Sequence, residues 1–241
     1  MDRLDRSRGR TEVHLVIAVV TGFVPIPDHP RSEAEYRKLG RKLLNAQVPQ
    51  DEAVLMALEM NLRDCWLYQY LNWRGSEFTH SVSDNPRKNT PAYHIVQSQK
   101  SEFLLEAARA HGHDAEVYVW VDYGIYHLPG MIDEILVDFL RQAKNEKSIT
   151  IPGCWDRNYT YDDNHPCWRF CGGVMIVPRR NLIEFDTMWK SEYISWLKKS
   201  NNLSWEVNTL ARMEAHGFPI WHYRADHNHT IFTAYRCAQR S

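Results

Sequence analysis

The sequence predicts an α/β fold with a mainly parallel sheet flanked by helices. Three observations carry this expectation. Continuous apolar, β-branched runs at His14–Val20 and Val117–Val121 read as strands buried on both faces. Stretches with three-to-four apolar spacing lie between such runs, and the two patterns alternate along the chain. With 241 residues and no linker, repeat or low-complexity block, the chain 1–241 is expected to form one domain with a sizeable core.

Taken in order, the first strand, His14–Val20, is expected to end in a turn at Thr21-Gly22-Phe23. Ser32-Glu33-Ala34-Glu35 is a capping-box pattern that opens a polar helix toward Asn45. Asp51–Asn61 reads as helical, Cys65–Trp73 as a second strand, and Gly75–Pro91 as a loop. Pro91–His111 is helical, with Tyr93, Val96, Phe103 and Ala107 on one face and Lys100 among them. Val117–Val121 ends abruptly in Asp122-Tyr123-Gly124. Met131–Lys144 reads as a helix, Ser148–Ile151 as a strand, and Trp155–Trp168 as an aromatic loop. Val174–Val177 is a strand and Asn181–Lys199 a long helix, with Leu182, Phe185, Trp189, Tyr193 and Trp196 along one side. Ser204 is a natural N-cap for a helix from Trp205 to His216. Pro219–Tyr223 is the last strand, followed by a His-rich tail.

Composition narrows the classes of function. Lys and Arg number 29 against 30 Asp and Glu, a net charge of −1, so no global basic field attracts nucleic acid. The 9 Trp, 12 Tyr and 8 Phe suit flat amphipathic ligands such as sugar rings and bases, and equally suit a core. Five unevenly spaced cysteines, Cys65, Cys154, Cys167, Cys171 and Cys237, read as reduced thiols. Met1–Arg10 lacks the apolar segment of a secretory leader, and Leu15–Val20 is too short to span a membrane, so a cytoplasmic location is expected.

Several common chemistries lose their fingerprints. The chain contains no GxGxxG after the first strand, no GxxxxGK[ST], no GxSxG and no HExxH. Asp122 emerges at a strand end, where open α/β sheets bind ligands. It can hold a cation or a ribose hydroxyl, or simply form an Asp-x-Gly turn. Lys100 either meets a diphosphate at the same edge or snorkels to solvent. Glu206, in the first turn of a helix, can act as a base or transition-state stabiliser, or merely complement the helix dipole. His227 and His229 would point the same way along an extended tail, as a metal pair could, with His222 nearby. Cys154, Cys167 and Cys171 with His165 match no standard zinc spacing. The Trp155–Trp168 loop, carrying Asp162 and Asp163, is either a sugar-contacting surface or a packed Ω-loop.

The order of these motifs resembles that of GT-A-type glycosyltransferases, enzymes that use nucleotide-sugar donors. The residues concerned are Val20-Thr21-Gly22-Phe23, Gln97-Ser98-Gln99-Lys100, Val119–Ile125, Phe170–Ile176 and Trp205-Glu206-Val207-Asn208. More narrowly, Lys100 followed by Trp-Val-Asp-Tyr-Gly-Ile is similar to the bacterial HtrL/YibB-type glycosyltransferases, with those of large algal viruses as neighbours. The resemblance spans about residues 14 to 230. It implies a GT-A-like (Rossmann-like) fold, with residues 12–130 as the nucleotide-sugar-binding half and 131–232 as the acceptor-binding half.

By the same resemblance, Asp122 corresponds to the first Asp of the DxD motif, while Gly124 stands where the second, metal-chelating Asp is usual. A divalent cation, Mn2+ or Mg2+, would then rest on Asp122 and the tail histidines His227 and His229. Lys100 corresponds to the lysine that meets the donor diphosphate, and Gly172-Gly173 to the small residues lining the sugar pocket. Glu206 corresponds to the acidic residue near the reacting carbon. Thr21 and Phe23 would flank a uracil, with Gly22 and Tyr123 beside the nucleotide. The implied donor is a UDP-sugar, UDP-xylose or a UDP-hexose, and the acceptor a hydroxyl of a glycan or glycoprotein. The alternatives are a metal-dependent hydrolase built on the histidines with Asp162 and Asp163, and a non-catalytic carbohydrate-binding domain.

Overall fold

The computed structural model describes residues 17–26, 31–75, 77–111, 115–158 and 162–235. Residues 14–16 of the first expected strand and Cys237 lie outside them. A six-stranded sheet has the order β2-β1-β4-β6-β5-β8. Its strands are β1 (Ile17–Phe23), β2 (Ala53–Glu59), β4 (Val117–Val121), β5 (Ile149–Gly153), β6 (Val174–Pro178) and β8 (Ile220–Arg224). Five strands run the same way and β6 alone runs against both neighbours. This is the expected mainly parallel, helix-flanked sheet. A two-stranded parallel ribbon joins β3 (Thr79–His80) to β7 (Asn202–Leu203).

Alternation along the central strands builds the core on both faces. Ala18, Val20, Tyr118 and Trp120 face one layer, together with Phe103 and Trp189 from the helices. Ile17, Val19, Val117, Val119 and Val121 face the other, with Leu136, Phe139 and Phe232. The helices are α1 (Glu33–Leu44), α2 (Trp66–Arg74), α3 (Pro91–Ser98), α4 (Lys100–His111), α5 (Asp133–Ala143), α6 (Leu182–Ser200), α7 (Glu206–Ala215) and α8 (Thr230–Thr233). The capping box forms as expected, Ser32 accepting from the Glu35 amide and Glu35 from the Ser32 amide.

Four local expectations are corrected. Thr21-Gly22-Phe23 is the end of β1 rather than a turn, because each residue pairs with β2. Asp51–Asn61 contains a strand, β2, although Ala, Leu, Met and Glu favour helices. Parallel pairing from Ile17↔Ala53 to Phe23↔Glu59 overrides that propensity. Cys65–Trp73 is helical: the Trp66 amide donates to Gln99 Oε1 (3.1 Å) and its indole Nε1 to the Ser98 carbonyl (3.0 Å). The expected helix Pro91–His111 is interrupted at Gln99, so Lys100 opens a second segment.

Gly22 has a packing role. A Cβ there would run into the Phe103 ring, so Gly22→Ala is expected to overpack the sheet interior. A loss of about 1–3 kcal/mol in urea-unfolding stability is expected.

Candidate active site

The antiparallel strand explains how the site assembles. Because β6 runs against β4, the start of β6 lies beside the end of β4, pairing Val121 with Val174. The Asp122 amide then donates to the Gly173 carbonyl (2.9 Å), which brings Gly172-Gly173 to the sheet edge where Asp122 emerges. Lys100 reaches this edge from the first turn of α4, and Glu206 from the first turn of α7.

Lys100 is the junction. Its ammonium donates to Asp122 Oδ1 (3.0 Å), Glu206 Oε1 (3.1 Å) and the Gly172 carbonyl (2.9 Å), which uses all three of its protons. At 3 % exposure it does not snorkel. Burial alone would depress its pKa, but the two carboxylates outweigh burial and hold it above the ordinary lysine value. Asp122 Oδ1 also accepts from the Trp120 indole (2.8 Å). Glu206 is buried, and its Oε2 has no protein hydrogen-bond partner. A Cβ at Gly172 would stand 2.5 Å from Glu206 Oε1, so only glycine leaves room for that carboxylate.

Ser204 does not cap α7. Its hydroxyl lies 3.3 Å from both terminal nitrogens of Arg212, which donate to it, and Trp205 occupies the cap position without a side-chain bond.

Asp122, Glu206, Gly172 and Gly173 line a cleft of about 690 Å³ together with Gly124 and His227, whereas Lys100, buried behind the two carboxylates, is not among its lining residues. Arg31, Tyr36, Lys88 and His127 also line it, and sequence reasoning missed them. Lys88 lies in an expected loop and Arg31 just before a capping box, and neither position carries a local signal. A second cavity, of about 440 Å³, shares Arg31 and Tyr36 with the cleft and is walled by Phe23, Val24, Pro25 and Ile26.

The remaining expected residues divide. Phe23 lines the second cavity, stacked on Tyr123 at 5.1 Å. Tyr123 itself packs over Gly40 of α1, and Gly124 is small because the Tyr36 ring covers it. Thr21 and Gly22 are corrected, for they line neither cavity: Thr21 is buried in β1, and the Phe103 ring packs on the half-buried Gly22. The histidine pair is also corrected. His227 lines the cleft, its pKa lowered by burial, whereas His229 Nδ1 lies 3.2 Å from the Pro129 carbonyl and begins α8. The chain bends between them, so the two do not point the same way.

Among the described residues no group of three or more His, Cys, Asp and Glu side chains is arranged to hold a metal. Asp163 instead pairs with Arg212 (2.7 Å), and Asp162 Oδ1 accepts from the Asn164 amide (2.9 Å). Cys65, Cys154, Cys167 and Cys171 are free thiols. No described helix is long and apolar enough to cross a membrane.

His94 supports the cleft wall from below, its ring edge-on to Trp205 at 5.2 Å and its Nε2 3.1 Å from the Ser81 carbonyl. Burial pushes its pKa from 6.5 down to about 4, only partly offset by the Ser81 hydrogen bond. The folded protein therefore keeps His94 neutral between those values while the unfolded chain takes up a proton. Stability from this group is complete above pH 6.5 and lost as pH falls toward 4, by about 3 kcal/mol in all. Urea titrations at pH 7 and pH 4.5 should show a smaller acid-induced loss in His94→Gln than in the wild type.

No family model matches the chain, and no curated protein matches it. Among solved structures, the chain is similar to a glycosyltransferase involved in the glycosylation of the major capsid of PBCV-1. That match has 15 % identity and a TM-score of 0.45, covering 87 % of this chain and 81 % of the other. It is also similar to mouse xyloside xylosyltransferase 1, apo form, at 9 % identity and a TM-score of 0.45 over 88 % and 85 % of the chains. A third is 4-diphosphocytidyl-2C-methyl-D-erythritolsynthase from Anaerococcus prevotii DSM 20548, at 8 % identity and a TM-score of 0.37 over 93 % of each. At these values the function rests on the geometry of the site itself.

Proposed function

We propose that the protein is a glycosyltransferase that moves a sugar from a UDP-sugar to a hydroxyl of a glycan acceptor. The observation that carries this reading is the buried Asp122–Lys100–Glu206 cluster at the sheet edge, with Glu206 Oε2 left unpartnered in a side chain that lines the cleft. In this reading the cavity walled by Phe23, Ile26 and Tyr36 takes the nucleoside, an apolar and aromatic lining that suits a base. The diphosphate lies in the cleft, where Lys88 and Arg31 add positive charge and Lys100 neutralises the carboxylates it holds. In this reading residues 12–130 supply most of the donor side and 131–232 most of the acceptor side.

Glu206 Oε2 accepts the proton of the acceptor hydroxyl as the new glycosidic bond forms and the bond from the sugar to the diphosphate breaks. Lys100 holds Oε1 and so orients the carboxylate for that task. Negative charge that develops on the leaving diphosphate meets Lys88 and Arg31 in a cleft built before substrate arrives.

A divalent cation fits the donor set. Asp122 Oδ1 is taken by Lys100 and Trp120, which leaves Oδ2 open, and burial keeps the His227 imidazole neutral. One carboxylate, one imidazole and substrate phosphates form a set that Mn2+ or Mg2+ accepts, completed by water. Asp122 and His227 would hold it, and the cation would supply charge neutralisation to the diphosphate.

Donor-hydrolysis assays across a panel of UDP-sugars, with and without Mn2+, test the reading. Release of UDP from at least one donor is expected, increased by the metal. A panel with no turnover and no UDP binding would overturn it.

A further inference from the structure

A third cavity, of about 720 Å³, is lined by Trp155, Trp168 and Trp205, with Ser83, Asp84, Asn85 and His165 at its polar edge. It shares Lys88, Trp168 and Trp205 with the reaction cleft, but no lining residue with the nucleoside cavity. It therefore opens off the reaction cleft and not off the nucleoside cavity.

We infer that this cavity binds a second pyranose ring of the acceptor, so that the acceptor is an oligosaccharide of at least two units. The inference rests on the transferase reading for its assignment to the acceptor. A pyranose presents an apolar C–H face and a rim of hydroxyls, which suits a cavity walled by the half-buried Trp155 and Trp168 and bordered by short polar side chains. Asp84 and Asn85 give acceptors and a donor for hydroxyls, in a cavity that also carries Lys88 at the junction with the cleft.

The walls are fixed before any ligand arrives. The Trp155 amide donates to the Trp168 carbonyl (3.0 Å), and Arg169 Nη1 donates to the Trp155 carbonyl (3.0 Å). Arg169 is itself clamped by both oxygens of Glu214. On the facing side, the Asn89 side chain accepts from the Ser83 amide (2.8 Å) and donates to its carbonyl (2.9 Å). The Val82 amide ties that loop to the Asn164 carbonyl (2.8 Å), and Asn208 Nδ2 donates to the His165 carbonyl (2.8 Å). Such preorganisation lowers the entropy cost of holding a sugar.

Calorimetric titration with cellobiose, xylobiose and chitobiose, and separately with UDP, tests the proposal. At least one disaccharide should bind the wild type saturably. Trp155→Ala should weaken that binding by about tenfold or more, Trp155→Phe should restore most of it, and UDP affinity should stay unchanged in both. Asp84→Ala removes an exposed rim group, so it gives a folded second variant, and it too should weaken only the disaccharide. If UDP binds and no disaccharide does, or if both the Trp155→Ala and Asp84→Ala proteins bind disaccharide normally, the subsite is disproved. Disaccharide binding without UDP binding would keep the sugar site and overturn the transferase reading instead.

Discussion

Glu206→Gln is expected to lower sugar transfer by roughly 10²–10⁴-fold while leaving UDP affinity nearly unchanged. The amide is isosteric, its oxygen can still accept from Lys100, and the space left by Gly172 still fits it. It cannot accept the proton of the acceptor hydroxyl. Glu206 Oε2 has no protein partner, so the exchange breaks no hydrogen bond at that atom. Single-turnover transfer assays beside UDP calorimetry check this. Equal activity of the two proteins would remove Glu206 from the chemistry and return it to its role as an ion-pair partner of Lys100.

Lys100→Met is expected to destabilise the fold by about 3–5 kcal/mol, because breaking a buried pair leaves charge without compensation. Without the ammonium, Glu206 Oε1 and the Gly172 carbonyl lose their donor, and two carboxylates face each other at the sheet edge. The same change in an Asp122→Asn/Glu206→Gln background should cost far less, since no buried like charges remain. Urea unfolding of the four proteins gives the coupling directly. UDP binding should also weaken in Lys100→Met, as the carboxylates would then repel the diphosphate. A cost that is the same in both backgrounds would mean that Lys100 acts through packing alone.

The fold was legible wherever a strand is buried on both faces. Val117–Val121 and Val174–Pro178 carry unbroken apolar runs, and the structure places them at the sheet centre. Edge strand β2 was misread because half of its side chains meet solvent, and its Ala, Leu, Met and Glu residues suit a helix equally well. Helix α2 was misread because its start is capped from afar, by Gln99, and its aromatics resemble those of a strand. Gly75, left-handed at φ 63° just beyond its last turn, was the local signal of its end.

The same physics divides the site. Asp122 and Glu206 stand at element ends that sequence patterns located, Lys100 was read in the middle of a helix and Gly172-Gly173 rested on the resemblance, and the structure brings these residues together. Lys88 and Arg31 reach the cleft through the path of the chain outside the main helices and strands, and Tyr36 through the docking of α1 over Gly124. His229 was misplaced because the extended spacing assumed for the tail gives way to a bend. The tryptophans divide likewise. Trp189 is core, Trp155 and Trp168 are half-buried beside a cavity, and Trp205 borders that cavity from a buried position.

The most direct measurement is a crystal soaked with UDP and Mn2+. The expected result is uracil in the cavity of Phe23 and Tyr36, with the diphosphate in the cleft beside Asp122, Lys88 and His227. UDP bound elsewhere, or no UDP in the cleft at saturating concentration, would contradict the assignment of this cleft to a nucleotide-sugar donor.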